Sequence, residues 1–283
     1  GNDEACVTTT EIAAVVHAAR GGTLYELDLR GSGIPLQTEL SPVEEPYDDA
    51  VVGNEVVLVD ANDQAGTLPR SDWSTTTTNP ALARRRVDRT PRGAFQDHFL
   101  GPETTIATFA ARQFRELGDF ADRPFDLARA AGPEGDPRAG FVQVSRTGVV
   151  KDVEQTLLLR VDKTFRFECD RPRFLVEHMV SNRSRETAAT WHGLEWTLGL
   201  PSGVASHVWA NTFDGEHERT FALADGPHDL GVVTWLELKD VEVGLSIVIQ
   251  PSEGIRAWWV PITSVYEAED GWREVVQGQT LLL

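Results

Sequence analysis

Six residues in the 283-residue sequence have side chains suited to acid–base or sugar chemistry and neighbours that draw attention to them. They are Asp97 and His98 in "QDHFL", His178 in "FLVEHMVSN", and Trp191, His192 and Glu195 in "WHGLEW". His192 and Glu195 are three positions apart, so on a regular strand they point to opposite faces. They make one acid–base pair only if a bulge at Gly193 realigns them. On the regular strand Trp191, Gly193 and Glu195 share one face and His192, Leu194 and Trp196 share the other. A carboxylate between an aromatic ring and a glycine suits a sugar, since the ring stacks while the oxygens accept from hydroxyls. The competing reading makes Trp191 or Trp196 core and Glu195 a satisfied buried acid. His178 alternates with Val176 and Val180 and is expected to face inward with them. Asp97 and His98 are strand neighbours and point apart, which favours structural roles.

Most catalytic templates fail. The chain has no G-x-S-x-G elbow, no H-E-x-x-H, no cysteine pair at metal spacing and no phosphate-cradling glycine loop. "GGTLYELDLRGSG" reads as a turn feeding a strand, not a dinucleotide site. No catalytic residue, metal site or cofactor is therefore assigned. The arginines of "ARRRVDR" could bind an anion, but in so acidic a chain they are expected to pair with carboxylates, its own or a partner domain's.

Charge narrows the partners. The formal net charge is −18, which opposes binding to a phosphate backbone. Of 26 basic residues only Lys151, Lys163 and Lys239 are lysine, a pattern shared by salt-adapted proteins and by GC-rich genomes. There is no apolar run of membrane-spanning length; no secretory leader is expected, and "GNDEACVTTTEIAAVV" looks like a cut just before a strand. Cys6 and Cys169 match no metal spacing. Cys169 ends an alternating strand on its apolar face and is expected to be a buried thiol, which points to a reducing, cytoplasmic setting.

The elements that must position these residues are strands. In "TLLLRVDKTFRFEC" Leu157, Leu159, Val161, Phe165, Phe167 and Cys169 occupy odd positions, with only Lys163 breaking the row. That period of two means one strand, or a hairpin near Asp162-Lys163, wet on one face. "DVEVGLSIVIQ" predicts Val241, Val243, Leu245, Ile247 and Ile249 inward. "RFLVEHMVSN", "WHGLEWTLGL", "VVTWLELK" and "RAWWVP" are further strands, separated by turn signals. One helix is expected in "GPETTIATFAARQFREL", opened by Pro102, with Ile106, Phe109, Ala110, Phe114 and Leu117 on its apolar face. "GTLPRSDWSTTTTNP" reads as an irregular excursion. With no repeat and no linker, 1–283 is expected to be a single all-β domain, a large antiparallel sandwich.

Five segments in one order carry a resemblance: "GGTLYELDLR", "LQTELSPVEEPYDD", "RGAFQDHFL", "ELGDFADRPFDL" and "WWVPITSVYEAEDGWREVVQG". Together they resemble the C-terminal β-sandwich domain of family 57 glycoside hydrolases, the α-amylase and 4-α-glucanotransferase group. The resemblance implies a twisted sandwich of the galactose-mutarotase type. It also implies a partner, an N-terminal catalytic (β/α)7 barrel carrying both reactive carboxylates, so that no catalytic residue transfers to this chain. The chain would then be an accessory part of a longer α-glucan-active enzyme, with α-1,4-glucan or maltooligosaccharide as a ligand. One departure is Asp48, where the family usually has a histidine after "EEPY". Trp258 and Trp259 are adjacent, so one is expected inward and the other outward, toward a domain interface or a glucan. The carbohydrate-binding candidates are Trp191, Glu195, Trp258, Trp259 and His98. The alternative is a stand-alone enzyme of aldose-epimerase type, drawing its acid and base from His98, His178, His192 and Glu195.

Overall fold

The structure, a computed structural model, describes residues 3–37, 88, 90–130, 139–153, 155–187, 189–200, 207–223, 226–268 and 271–283. Asp48, "GTLPRSDWSTTTTNP" and the arginines Arg84 to Arg86 lie outside them.

Every strand pairing among the described residues is antiparallel, and three sheets result. The largest is built from β1 (Glu4–Thr8), β2 (Ile12–His17), β3 (Thr23–Leu29), β5 (Ala94–Leu100), β10 (Trp191–Leu198), β17 (Gly271–Leu282), β16 (Ile255–Ala268) and β13 (His228–Val233) in that spatial order, with the short β4 (Ile34–Pro35) on β3. A second sheet runs β6 (Asp126–Ala130), β7 (Ala139–Lys151), β8 (Thr156–Glu168), β9 (Phe174–Asn182). The third runs β12 (Glu218–Ala222), β11 (Val208–Phe213), β14 (Trp235–Asp240), β15 (Leu245–Ile249). One continuous buried cluster joins them: Val144, Val161 and Phe165 from the second sheet, Ala210 and Leu236 from the third, Leu24, Phe99 and Trp259 from the first. Among the described residues, the expected all-β sandwich with one short helix is what forms.

The alternation in β8 explains why it is one unbroken strand and not a hairpin. Leu157, Leu159, Val161, Lys163, Phe165 and Phe167 are all buried, so the lysine that interrupts the apolar row is itself inside. The C-terminal segment lies within the large sheet, where β17 pairs with β10 on one side and β16 on the other. Its register sets both faces. Trp259, Leu281 and Trp196 align toward the main core, while Trp258, Leu282 and Glu195 align on the opposite face.

Several local expectations are corrected. Trp258 does not reach solvent: it is 7% exposed and packs with Leu100, Phe109, Val260 and Leu282 beneath the helix α1 (Ile106–Ala110). That helix is five residues long. Thr105 caps it, its hydroxyl accepting from the Thr108 amide, so Pro102 does not open it. It stops because Arg112 takes a left-handed φ of 54° and residues 115–118 pair as a strand would: Leu117 donates to the Phe99 carbonyl and Lys151 to that of Leu117. Phe114 stacks back on Phe109 at 5.0 Å. Val241 and Val243 are exposed in a turn, and only Leu245, Ile247 and Ile249 pack on the core. Cys169 is half-buried rather than buried, because it follows the last residue of β8 where the chain turns away.

Candidate functional site

Strands β5 and β10 run side by side through the middle of the large sheet and carry a charged cluster on each face. The bulge that shapes them is on β5, not at Gly193. Glu195 lies opposite Gln96 and Trp196 opposite Ala94, so Phe95 is the extra residue. It holds a left-handed φ of 60°, unusual for a bulky side chain, and its ring packs against Phe165, Phe174 and Trp196. His192 and Glu195 remain on opposite faces, as the spacing implied.

The outer cluster centres on Glu195, whose side chain is fully buried. Arg112 grips it with both terminal nitrogens, Nη2 to Oε1 at 2.6 Å and Nη1 to Oε2 at 3.0 Å. Arg92 approaches Oε1 at 3.5 Å and donates to Thr280 Oγ1 at 2.7 Å. Asp88 accepts from both arginines. His98 Nε2 lies 2.8 Å from Glu195 Oε2 and its Nδ1 lies 2.7 Å from Glu116 Oε2. A carboxylate on each ring nitrogen requires both to donate, which is the imidazolium form. Burial disfavours that charge, but hydrogen bonds to Glu116 and Glu195 outweigh it and push the His98 pKa up to about 9. Burial alone would raise the Glu195 carboxyl; Arg112, His98 and Arg92 instead hold it well below the usual carboxylate range.

The inner cluster centres on Asp97, also fully buried, between the first and second sheets. Its Oδ2 takes the Lys163 ammonium at 2.7 Å. Lys163 also donates to the Gly21 and Phe95 carbonyls at 2.8 and 2.7 Å and sits over the Phe125 ring. Oδ1 lies 2.7 Å from His178 Nε2 and 2.8 Å from His192 Nε2, with the two rings stacked 4.9 Å apart. Burial would raise Asp97, yet Lys163 and the two histidines keep it well below its ordinary value. Burial lowers the His178 pKa and outweighs the opposing pull of Asp97.

These clusters account for most of the sequence candidates. His98 and Glu195 meet in one, Asp97, His178 and His192 in the other, and Asp97 and His98 point apart as expected. Trp258 and Trp259 belong to neither and are packed beneath and within the sheet. Trp191, at 46% exposed, is the one accessible member of the five carbohydrate-binding candidates. The acid and base that an epimerase would need do come together as His98–Glu195. They are sealed, however, and the hollow beside them, lined by Arg92, Phe109, Arg112, Ile262 and Thr263, has a volume of about 20 Å³, room for one water and not for a hexose. The epimerase alternative gains no support. Sequence reading missed Arg92, Arg112, Glu116 and Lys163. Only Lys163 left a signal, as the break in an otherwise apolar row.

The comparisons with known proteins agree with one another. The family model described as alpha-amylase/4-alpha-glucanotransferase, C-terminal, matches residues 1–283. The chain belongs to that family. It is 25% identical over 280 residues to a 4-alpha-glucanotransferase of Thermococcus kodakarensis, covering 98% of this chain and 36% of the relative. It is 26% identical over 191 residues to an alpha-amylase of Pyrococcus horikoshii, covering 68% of this chain and 24% of the relative. The crystal structure of the 4-alpha-glucanotransferase from Thermococcus litoralis superposes on the whole chain with a TM-score of 0.71 at 19% identity, covering 35% of that structure. That likeness shows the shared fold. The chain spans about a third or less of the length of these relatives. Among its described residues, no helix is long and apolar enough to cross a membrane.

Proposed function

We propose that the chain is a non-catalytic accessory domain of an α-glucan-active enzyme, a 4-α-glucanotransferase or α-amylase. It packs against a catalytic (β/α)7 barrel supplied by another part of a longer polypeptide. The observation that carries the reading is the family match over all 283 residues, set beside relatives about three times as long. The sealed clusters support it from the chemical side. Both central carboxylates are committed to cations, so neither is available as the nucleophile or the acid of a retaining glycosidase. Glucan contact, where the domain makes it, falls to Trp191, whose exposed indole offers a stacking face.

The test incubates the 283-residue chain with maltoheptaose and follows chain-length distribution, alongside calorimetric titration of the same sugar. The expected result is no hydrolysis or transfer, with weak binding that Trp191→Ala abolishes. Disproportionation of maltoheptaose by this chain alone overturns the accessory reading; sugar binding unaffected by Trp191→Ala removes Trp191 from it.

A further inference from the structure

We propose that Asp97, His178 and His192 form a site for one divalent transition-metal ion, with zinc or cobalt the best match to two imidazoles and one carboxylate. The three donor atoms lie within 4.8 Å of one another although their residues come from β5, β9 and β10, which belong to two different sheets. Both Nε2 atoms are aimed at the same carboxylate oxygen, and that convergence places an ion at the tip of all three groups. Asp97 is the one charged ligand, and it is anchored from behind: Lys163 holds its other oxygen and is itself fixed by two backbone carbonyls. Such outer partners orient metal-binding carboxylates. The imidazoles are not sealed. His178 and His192 side chains are 14% and 23% exposed, so each ring keeps an edge at the solvent while Asp97 is buried.

The spacing states what must move. Tetrahedral bonds of about 2.0–2.1 Å put donor atoms about 3.3 Å apart. The present separations of 2.7 and 2.8 Å are those of hydrogen bonds. Each ring therefore backs away by roughly half an ångström, and the proton on each Nε2 transfers to Nδ1 through solvent. Lys163 keeps its hold on the other carboxylate oxygen, and its positive charge near the ion weakens the site. The bound ion clips β9 of the second sheet to β5 and β10 of the first. This proposal stands apart from the accessory-domain reading.

The test titrates the chelator-treated 283-residue chain with cobalt(II) and then zinc, following visible absorption and melting temperature. One cobalt per chain is expected, with the intense d–d bands of a tetrahedral ion, displaced by zinc, and a melting temperature that rises on loading. His192→Gln keeps an amide donor toward Asp97 and is expected to weaken metal uptake at least tenfold while melting without metal close to the parent; His178→Gln is expected to do the same. A parent chain that takes up no stoichiometric cobalt or zinc overturns the site. Uptake of unchanged strength in both glutamine variants overturns it equally, since the ion then binds elsewhere.

Discussion

Raising the pH from neutrality to 10 should strip the outer cluster of its central cation, and the cost follows from the structure. His98 is held as imidazolium between Glu116 and Glu195, with its pKa moved from 6.5 to about 9. A pKa raised in the folded state contributes stability that is fully present below about 6.5 and is lost as pH climbs through about 9. Each pKa unit is worth about 1.4 kcal/mol, so the contribution is about 3 kcal/mol, with a maximal slope of about 1.4 kcal/mol per pH unit. Against a total stability of about 5–15 kcal/mol that loss is easily seen. Urea unfolding of the 283-residue chain between pH 6 and 10 measures it. Lys163 is perturbed in the opposite sense: burial lowers its pKa, so its own contribution rises with pH as it titrates. His98→Gln separates the two, since it lacks the titrating ring and retains Lys163. The expected result is a parent whose stability falls by about 3 kcal/mol across this range and a variant, less stable at pH 6, whose curve lacks the fall. A parent curve flat from 6.5 to 9, or an equal fall in His98→Gln, would refute the reasoning.

Three further outcomes follow from the same geometry. Lys163→Met leaves the fully buried Asp97 carboxylate without its cation and should cost about 3–5 kcal/mol in urea unfolding, with much of the loss recovered in the Asp97→Asn, Lys163→Met double variant. Acidification should also destabilise the chain. Asp97 and Glu195 have depressed folded pKa values, so their contribution is present above about pH 4 and disappears as pH falls through those values; thermal melts below pH 4 should show a steep drop. Gly21→Ala should lower the melting temperature, because Gly21 has φ +67° and an added Cβ would lie 2.4 Å from the Ala121 carbonyl oxygen; its strain of at least about 1–2 kcal/mol would be read by calorimetry.

Much of the architecture was legible because strand periodicity is local. The odd–even alternation of β8 and the turn glycines before β3 follow from neighbouring residues alone, and so does the opposition of His192 to Glu195. Composition by itself set the net charge and spoke against a nucleic-acid partner. What the spacing could not reach was any contact across strands. Glu195 is 83 residues from Arg112 and 97 from His98, and those pairings exist only because β5 and β10 are neighbours and residues 111–117 fold back over them. The helix was overread for the same reason: its apolar spacing continues to Leu117, but long-range ladder bonds and the Arg112–Glu195 pair outweigh another turn of helix. Whether a tryptophan beside another faces solvent is likewise a tertiary matter. Alternation put Trp258 and Trp259 on opposite faces, and only the placement of α1 made both of them interior. A sequence carries its faces in its own period; which faces are covered depends on segments far along the chain, because burial is a property of the space between elements and not of any one of them.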